Sequence, residues 1–365
     1  MSKKTLVAVA VLSAFAGSAF AADVQVYGRI DTGLYFTDNK AADTKTLTME
    51  SGIAGASRFG IKGSEKLANG VTIGFQLENG FKADDGSMVG SDEGRLWDRD
   101  AYLYIKTPKF GDVRIGRSGA LGGGVSGGIF AGTASPFGVV YKDAASTKIF
   151  AVESRVDNQV RYDTPEFGGL KLHFQYSNGM ELKDDVNNSQ KDRYAAVGAT
   201  YNIGDLKVVA VVDKVLYNDR PYNKNTDKTG KKDHDDKDSF KLAAQYKFAP
   251  ATIYFGYQHS NNTDKAGIVT VSSADTDAVT LGTRVKLWGG NLNASVGYVK
   301  GDSDKEEIKG KQAALGYTYN LSKRTVLYSA LAYYDSDYEK DGEVVKGKTK
   351  DTTIKSVMAG IYHAF

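Results

Sequence analysis

The stretch Val24-Gln25-Val26-Tyr27-Gly28-Arg29-Ile30-Asp31-Thr32-Gly33-Leu34-Tyr35-Phe36 decides the fold. Val24, Val26, Gly28, Ile30, Thr32, Leu34 and Phe36 fall on one side of an extended chain, and Gln25, Tyr27, Arg29, Asp31 and Tyr35 on the other. A period of two is the signature of a strand with one apolar and one wet face. The pattern recurs along the chain. Val71, Ile73, Phe75 and Leu77 oppose Thr72, Gln76 and Glu78, and Leu170, Leu172, Phe174 and Tyr176 oppose Lys171, His173, Gln175 and Ser177. Phe240 to Phe248 and Leu292 to Tyr298 alternate in the same way.

The connections alternate between short and long. Short ones run through Gly63 to Gly70, Thr107 to Gly111, Thr164 to Gly169, Asn202 to Asp205, Phe248 to Pro250, Trp288 to Gly290 and Asn320 to Arg324. Long ones are expected near 37–56, 81–96, 117–152, 178–193, 217–238, 260–276, 300–310 and 335–354. Short turns on one rim and long loops on the other predict an all-β, transmembrane, antiparallel up-and-down barrel. A hairpin of two membrane strands, one turn and one loop uses ~42 residues, so the chain accommodates about sixteen strands. Barrels of that size leave an aqueous channel. The competing reading is a soluble jelly roll or propeller, which would bury the apolar face in a core.

Composition agrees with sheet. The 365 residues include 22 Tyr, 16 Phe and 41 Gly but only 5 Pro, and mean hydropathy is −0.37. A soluble-like average is compatible with a barrel wet on one side and lipid-facing on the other. Residues 1–21 carry Lys3 and Lys4, an apolar run from Leu6 to Phe20 and a terminal Ala19-Phe20-Ala21, the pattern of a cleaved export signal. Residues 22–365 then form the barrel domain. Of 47 basic and 44 acidic residues, removing Lys3 and Lys4 leaves 45 against 44, a balance with no nucleic-acid footprint. Zero Cys excludes disulfides, thiolate metal sites and Cys nucleophiles.

One connection differs from the rest. Residues 116–152 hold Gly116, Gly122-Gly123-Gly124, Gly127-Gly128 and Ser135-Pro136-Phe137-Gly138, and past Arg117 their only ionised residues are Lys142, Asp143 and Lys148. A long, nearly uncharged loop between two alternating strands is expected to fold into the lumen as a constriction loop. The last strand, Val357 to Phe365, ends on an aromatic carboxyl terminus suited to an interfacial girdle. His363 and Phe365 are its candidate assembly signal.

Several motifs resemble those of the Gram-negative trimeric general porins of the neisserial and β-proteobacterial type. They are Tyr27-Gly28-Arg29-Ile30-Asp31, Ser57-Arg58-Phe59-Gly60 through Asn69-Gly70, Phe75-Gln76-Leu77-Glu78, Arg99-Asp100-Ala101, Phe110-Gly111-Asp112-Val113-Arg114-Ile115-Gly116-Arg117, Asn158 to Gly169, and His363-Ala364-Phe365. The resemblance implies a sixteen-stranded barrel in the outer membrane of a Gram-negative bacterium. It also implies a homotrimer set in lipid and lipopolysaccharide, and a third long loop narrowing the pore. In that family wall arginines face the loop and set a transverse field; Arg58, Arg99 and Arg155 stand in the matching motifs. Alternation places Arg58, Arg155, Arg29 and Arg114 inward. It leaves Arg99 undecided, because Arg99 shares its face with Ala101, Leu103 and Ile105. The acidic counterparts available in or just beyond the loop are Asp143 and Glu153, a thin negative patch, so mild anion preference is expected.

No other constellation carries comparable chemistry. The glycines near Gly122 lack the Lys-Ser/Thr and helix start of a phosphate loop. Asp233 to Asp236, Asp302-Ser303-Asp304 and Asp335-Ser336-Asp337 suit hard cations but read as solvated loop charges. His173, His234, His259 and His363 are scattered, and none falls in a triad pattern. The expected function is passive diffusion of ions and small hydrophilic solutes, with no cofactor, no metal and no covalent chemistry. The alternatives are a substrate-selective channel, or an outer-membrane hydrolase for which only His363 or His234 could act as base.

Overall fold

The computed structural model describes residues 23–67, 69–90, 94–180, 191–217, 235–266, 269–303, 306–340, 343–344 and 352–365. The proposed export signal, His234 and Asp304 lie outside them. The described residues form one antiparallel sheet of eighteen strand segments. The first six are β1 (Gln25–Asn39), β2 (Thr44–Ser51), β3 (Arg58–Lys66), β4 (Thr72–Gly80), β5 (Asp100–Thr107) and β6 (Gly111–Gly119). Next come β7 (Arg155–Asp163), β8 (Leu170–Ser177), β9 (Arg193–Ile203), β10 (Leu206–Leu216), β11 (Lys237–Phe248) and β12 (Ala251–Ala266). The last six are β13 (Val269–Leu287), β14 (Gly290–Asp302), β15 (Glu306–Asn320), β16 (Thr325–Lys340), β17 (Glu343–Val344) and β18 (Thr352–Ala364).

These segments make sixteen wall strands. β2 and β3 are halves of one interrupted strand, pairing in turn with the two ends of β1, and β17 is a two-residue spur on β16. The barrel closes between β1 and β18, from Arg29 opposite Ala364 to Asn39 opposite Ile354. Below that register Gly28 and Phe365 exchange two backbone hydrogen bonds of 3.1 Å. A side chain at Gly28 would collide with the Phe365 ring, so this seam requires glycine. Pairing β1 with β18 joins the two ends of the sheet, as a sheet in lipid requires.

Exposure along β1 settles which face looks outward. Val26, Ile30 and Leu34 are 61%, 45% and 52% exposed, whereas Asp31 between them is fully buried. Leu281, Val296, Leu315, Leu331 and Val357 continue the exposed apolar surface around the barrel. A soluble sheet would hide these residues; here they form the lipid-facing belt. Among the described residues no helix is long and apolar enough to cross a membrane.

Several expected loops are instead strand. The region 37–56 holds the end of β1, a turn at 40–43 and all of β2; β12 and β13 run into the region 260–276, and β14 to β16 extend similarly beyond the wall. Polar sequence disguises the extensions of β12 to β16, because hairpins standing clear of the bilayer need no apolar face. The insert also begins later than expected: β6 continues to Gly119 and β7 starts at Arg155, leaving 120–154 as the irregular segment. Its short helix α1 (Ala131–Ala134) is followed by two single 3-10 turns, Lys142–Ala144 and Ser146–Lys148.

The apolar core lies inside the barrel, between this insert and the inner wall. One cluster joins Leu121, Phe130, Ile149 and Phe150 of the insert to Tyr194, Val209, Val211 and Ala243 of the wall. The other joins Phe137 and Ala144 to Ile53, Tyr328 and Met358.

Candidate functional site

The insert is docked by wall side chains that read its main chain. Gln258 donates to the Ala151 carbonyl (2.7 Å), Thr280 to Ala134 (2.9 Å), Arg284 to Pro136 (2.6 Å) and Gln245 to Gly132 (3.0 Å). Gln312 donates to both Asp143 (2.5 Å) and Ala145 (3.0 Å). On the other flank the Leu121 amide donates to Gln175 Oε1 (2.6 Å). These side chains, donors from β11, β12, β13 and β15 and the acceptor Gln175 from β8, pin the insert across the inward faces of five strands. Close approach is possible because the wall is bare beneath it. A Cβ at Gly256 would lie 2.4 Å from Ala134 Cβ, and one at Gly282 would lie 2.6 Å from Pro136 Cδ.

The opposite flank of the insert leaves a cavity of about 650 Å³. Arg29, Arg58, Gln76, Glu78, Arg99 and Asp100 line it on the wall; Gly124 to Ser126, Val139, Val140, Lys142, Ala145 and Thr147 line it on the insert. Three arginines thus face two carboxylates, and Lys142 across from them pairs with Glu50 at 2.9 Å. Arg58 Nε and Arg99 Nε reach the two oxygens of Glu78 at 3.1 and 2.6 Å, and Gln76 donates to Asp100 (2.8 Å). The Arg29 guanidinium lies 4.2 Å over the Tyr362 ring. Arg99 reaches this wall because 96–99 are bends and the alternation of β5 starts only at Asp100, which resolves the side that strand parity left open.

Arg114, Arg155 and Arg161 hold the insert. Arg114 donates to the Ser126 carbonyl (3.3 Å) while stacking on Tyr102 at 4.5 Å, and Arg155 donates to Ser126 Oγ (3.3 Å). Arg161 donates to the Gly127 carbonyl (2.7 Å). A bulge in β7, with Asn158 at φ +48° and a register shift opposite Gly116 to Ser118, buries both Val156 and Asp157 and breaks simple alternation there. Arg155 therefore braces the insert, its Nε 3.9 Å from Asp100, and is not among the residues lining the cavity.

The two acidic candidates of the insert are corrected more sharply. Asp143 is buried against β1, hydrogen-bonded by Tyr35 and paired with Lys148 at 2.9 Å. Burial pushes its carboxyl up, but the Lys148 ammonium and the Tyr35 hydroxyl outweigh that and hold it below the ordinary carboxylate range. Glu153 points to Lys237 of β11 (3.0 Å). Neither lines the cavity; Glu78 and Asp100 supply its negative charge. Glu78 was legible on the polar face of its strand, and Asp100 in the motif that carries Arg99, but alternation alone does not reveal height along the barrel.

His363 and Phe365 stand at the closing seam, where His363 Nδ1 meets Thr325 Oγ1 at 2.9 Å. Two of the scattered histidines are held by carboxylates: the partly exposed His259 meets Asp277 at 3.0 Å, and the buried His173 is part of a longer chain of contacts. His173 Nδ1 lies 2.7 Å from Asp163 and its Nε2 lies 3.1 Å from Thr200 Oγ1, a relay between adjacent strands that the sequence does not reveal. Arg161 also bonds Asp163 (2.9 Å). The relay is built into the wall and orients the arginine that holds Gly127, which is a bracing role. Among the described residues no group of three His, Asp or Glu is placed to hold a metal.

A sequence profile of the Gram-negative porin family matches residues 8–339. An outer membrane porin protein of Bordetella pertussis is 28% identical over 91% of this chain and 94% of its own length. Outer membrane porin protein 32 of Delftia acidovorans is 27% identical over the full length of both chains. Among solved structures, an anion-selective porin from Comamonas acidovorans covers 94% of this chain and 100% of its own, with a TM-score of 0.69 and 24% identity, a likeness of fold.

Proposed function

The chain belongs to the Gram-negative porin family and forms an outer-membrane diffusion channel, and from that premise we propose that it is a general, permanently open pore with mild anion preference. The observation that carries this reading is the cavity between Arg29, Arg58 and Arg99 and the insert, in which three arginines stand against Glu78 and Asp100 while Lys142 of the insert is paired with Glu50 at 2.9 Å. A narrow throat with low-dielectric walls screens fixed charge weakly, so this surplus raises the local concentration of anions and lowers that of cations. Glu78, Asp100 and the Glu50 partner of Lys142 offset most of the positive charge, which keeps the preference mild. The anion selectivity named for the Comamonas acidovorans structure supports the direction.

The insert acts as the constriction. Its contacts to the wall are largely main-chain carbonyls bonded to glutamine, threonine and arginine, a fixed lining that does not depend on ligand. Residues 1–21 direct export and are removed. The pore works as a homotrimer in lipid and lipopolysaccharide, and catalyses nothing. Liposome swelling tests the general character of the pore. Reconstituted vesicles should admit small neutral sugars and small organic anions at comparable rates; uptake of one sugar alone would favour a substrate-selective channel.

A further inference from the structure

A second cavity of about 450 Å³ lies on the other flank of the insert, toward the short turns of β11 to β13. Of its residues the 650 Å³ passage shares only Val140, so the insert separates the two. Its cations are Lys247 and Arg284, and its lining includes no carboxylate. Among the described residues neither cation forms an ion pair. Arg284 uses two of its five N–H donors, Nε to Asn293 (2.7 Å) and Nη2 to the Pro136 carbonyl (2.6 Å). Its guanidinium sits 5.7 Å over the Tyr254 ring, and Phe137 and Tyr141 meet edge to face at 5.6 Å across the roof.

We propose that this cavity is a solute subsite for a small oxyanion attached to a planar ring. The oxyanion is held between Lys247 and the outward N–H groups of Arg284, and the ring is held against Tyr254. Two cations without a neutralising carboxylate attract an anion in a partly enclosed site, and charge-assisted bonds to Arg supply direction. The aromatic floor adds contact that a bare inorganic anion does not use. The subsite rests on the reading of the lumen as a water-filled pathway. It sits beside the passage, so an occupant retards diffusing anions and interrupts the current only in part while it is bound.

The test uses single channels of the full chain in a planar bilayer, with phenyl phosphate added to each chamber in turn after conductance in KCl is established. Phenyl phosphate should cause resolved current interruptions, and inorganic phosphate much briefer ones. Lys247→Gln should shorten the phenyl phosphate events by about tenfold. Lys247 holds no part of the insert, so this variant keeps the pore intact; Tyr254→Leu should shorten phenyl phosphate events and leave inorganic phosphate events unchanged. Equal dwell times for both anions would overturn the ring contact. Interruptions insensitive to Lys247→Gln but abolished by Arg58→Ser would place the anion in the main passage and overturn the subsite. An open channel without interruptions sinks the subsite alone, whereas a barrel silent in KCl sinks the functional reading beneath it.

Discussion

Arg58 and Arg99 grip one carboxylate from opposite sides, their Nε atoms 3.1 and 2.6 Å from the two oxygens of Glu78. The two arginines come from separate hairpins and meet only because Glu78 of β4 stands between β3 and β5. The pair with its carboxylate carries one net positive charge, and the Tyr27 hydroxyl donates to the same carboxylate at 3.1 Å. This arrangement makes that part of the cavity wall cationic, with Glu78 offsetting one charge there and Asp100 lying beside it.

Glu78→Gln therefore should strengthen anion preference, since it removes the charge and keeps the shape. Reversal potentials under a KCl gradient should move further toward the chloride value, most clearly at low ionic strength where screening is weak. A shift toward potassium would show that Glu78 does not neutralise these arginines.

Arg58→Ser and Arg155→Ser should behave differently, because one residue lines the passage and the other braces Ser126. The first should reduce anion preference with little change in open-channel noise. The second should add current noise and alter conductance more than selectivity. Equal selectivity loss in both would place Arg155 in the passage and contradict the bracing role.

Gln312→Leu removes the donor shared by the Asp143 and Ala145 carbonyls. Leaving buried acceptors unsatisfied costs about 1–3 kcal/mol each. The strand should persist, since its ladder is untouched, while the insert loosens. Limited trypsin digestion reports this directly: cleavage after Lys142 or Lys148 should accelerate in the variant and stay slow in the parent chain.

Acid should act on the same anchor. The Asp143 carboxyl is held below its ordinary value of 3.8, so the stability it contributes is present above that value and lost as pH falls through the lower folded one. Open-channel noise should stay constant from neutral pH down to about 4 and rise below it. Asp143→Asn should remove that acid step. An unchanged acid step in Asp143→Asn would assign it to another group.

Much of the barrel was legible because lipid imposes period two on every wall strand. Val26, Ile30 and Leu34 against Tyr27, Arg29 and Asp31 fix both the strand and its outward face. The hairpins rising beyond the wall are not legible, since there both faces meet water and the period fades; the ends of β12 and β13 consequently read as loop, and β2 is hidden by its short run of Thr, Lys and Glu around Leu47 and Met49. Within the site, alternation finds inward residues but not their heights or partners. It could not show that Asp143 turns toward Tyr35 and Lys148, that the Asn158 bulge reassigns Arg155, or that Asp163, His173 and Thr200 line up. The docking track of the insert left a readable trace in Gly256 and Gly282, glycines on inward positions of strands otherwise free to carry side chains.

Glycine at those positions is a packing requirement. Gly256→Val should force α1 away from β12, because even a Cβ there meets Ala134 at 2.4 Å and the Phe150 ring at 2.9 Å. Single-channel conductance should fall as the displaced insert moves toward the arginine wall. Unaltered conductance would mean that the insert yields locally without narrowing the passage.

The most direct test of the central claim is the zero-current potential of the reconstituted channel across a tenfold KCl gradient. An open passage lined by Arg29, Arg58 and Arg99 predicts a sign that favours chloride, of modest size, and a potential that shrinks in Arg58→Ser. A potential favouring potassium, or one unmoved by Arg58→Ser, would contradict the assignment of this passage as the selectivity-determining constriction.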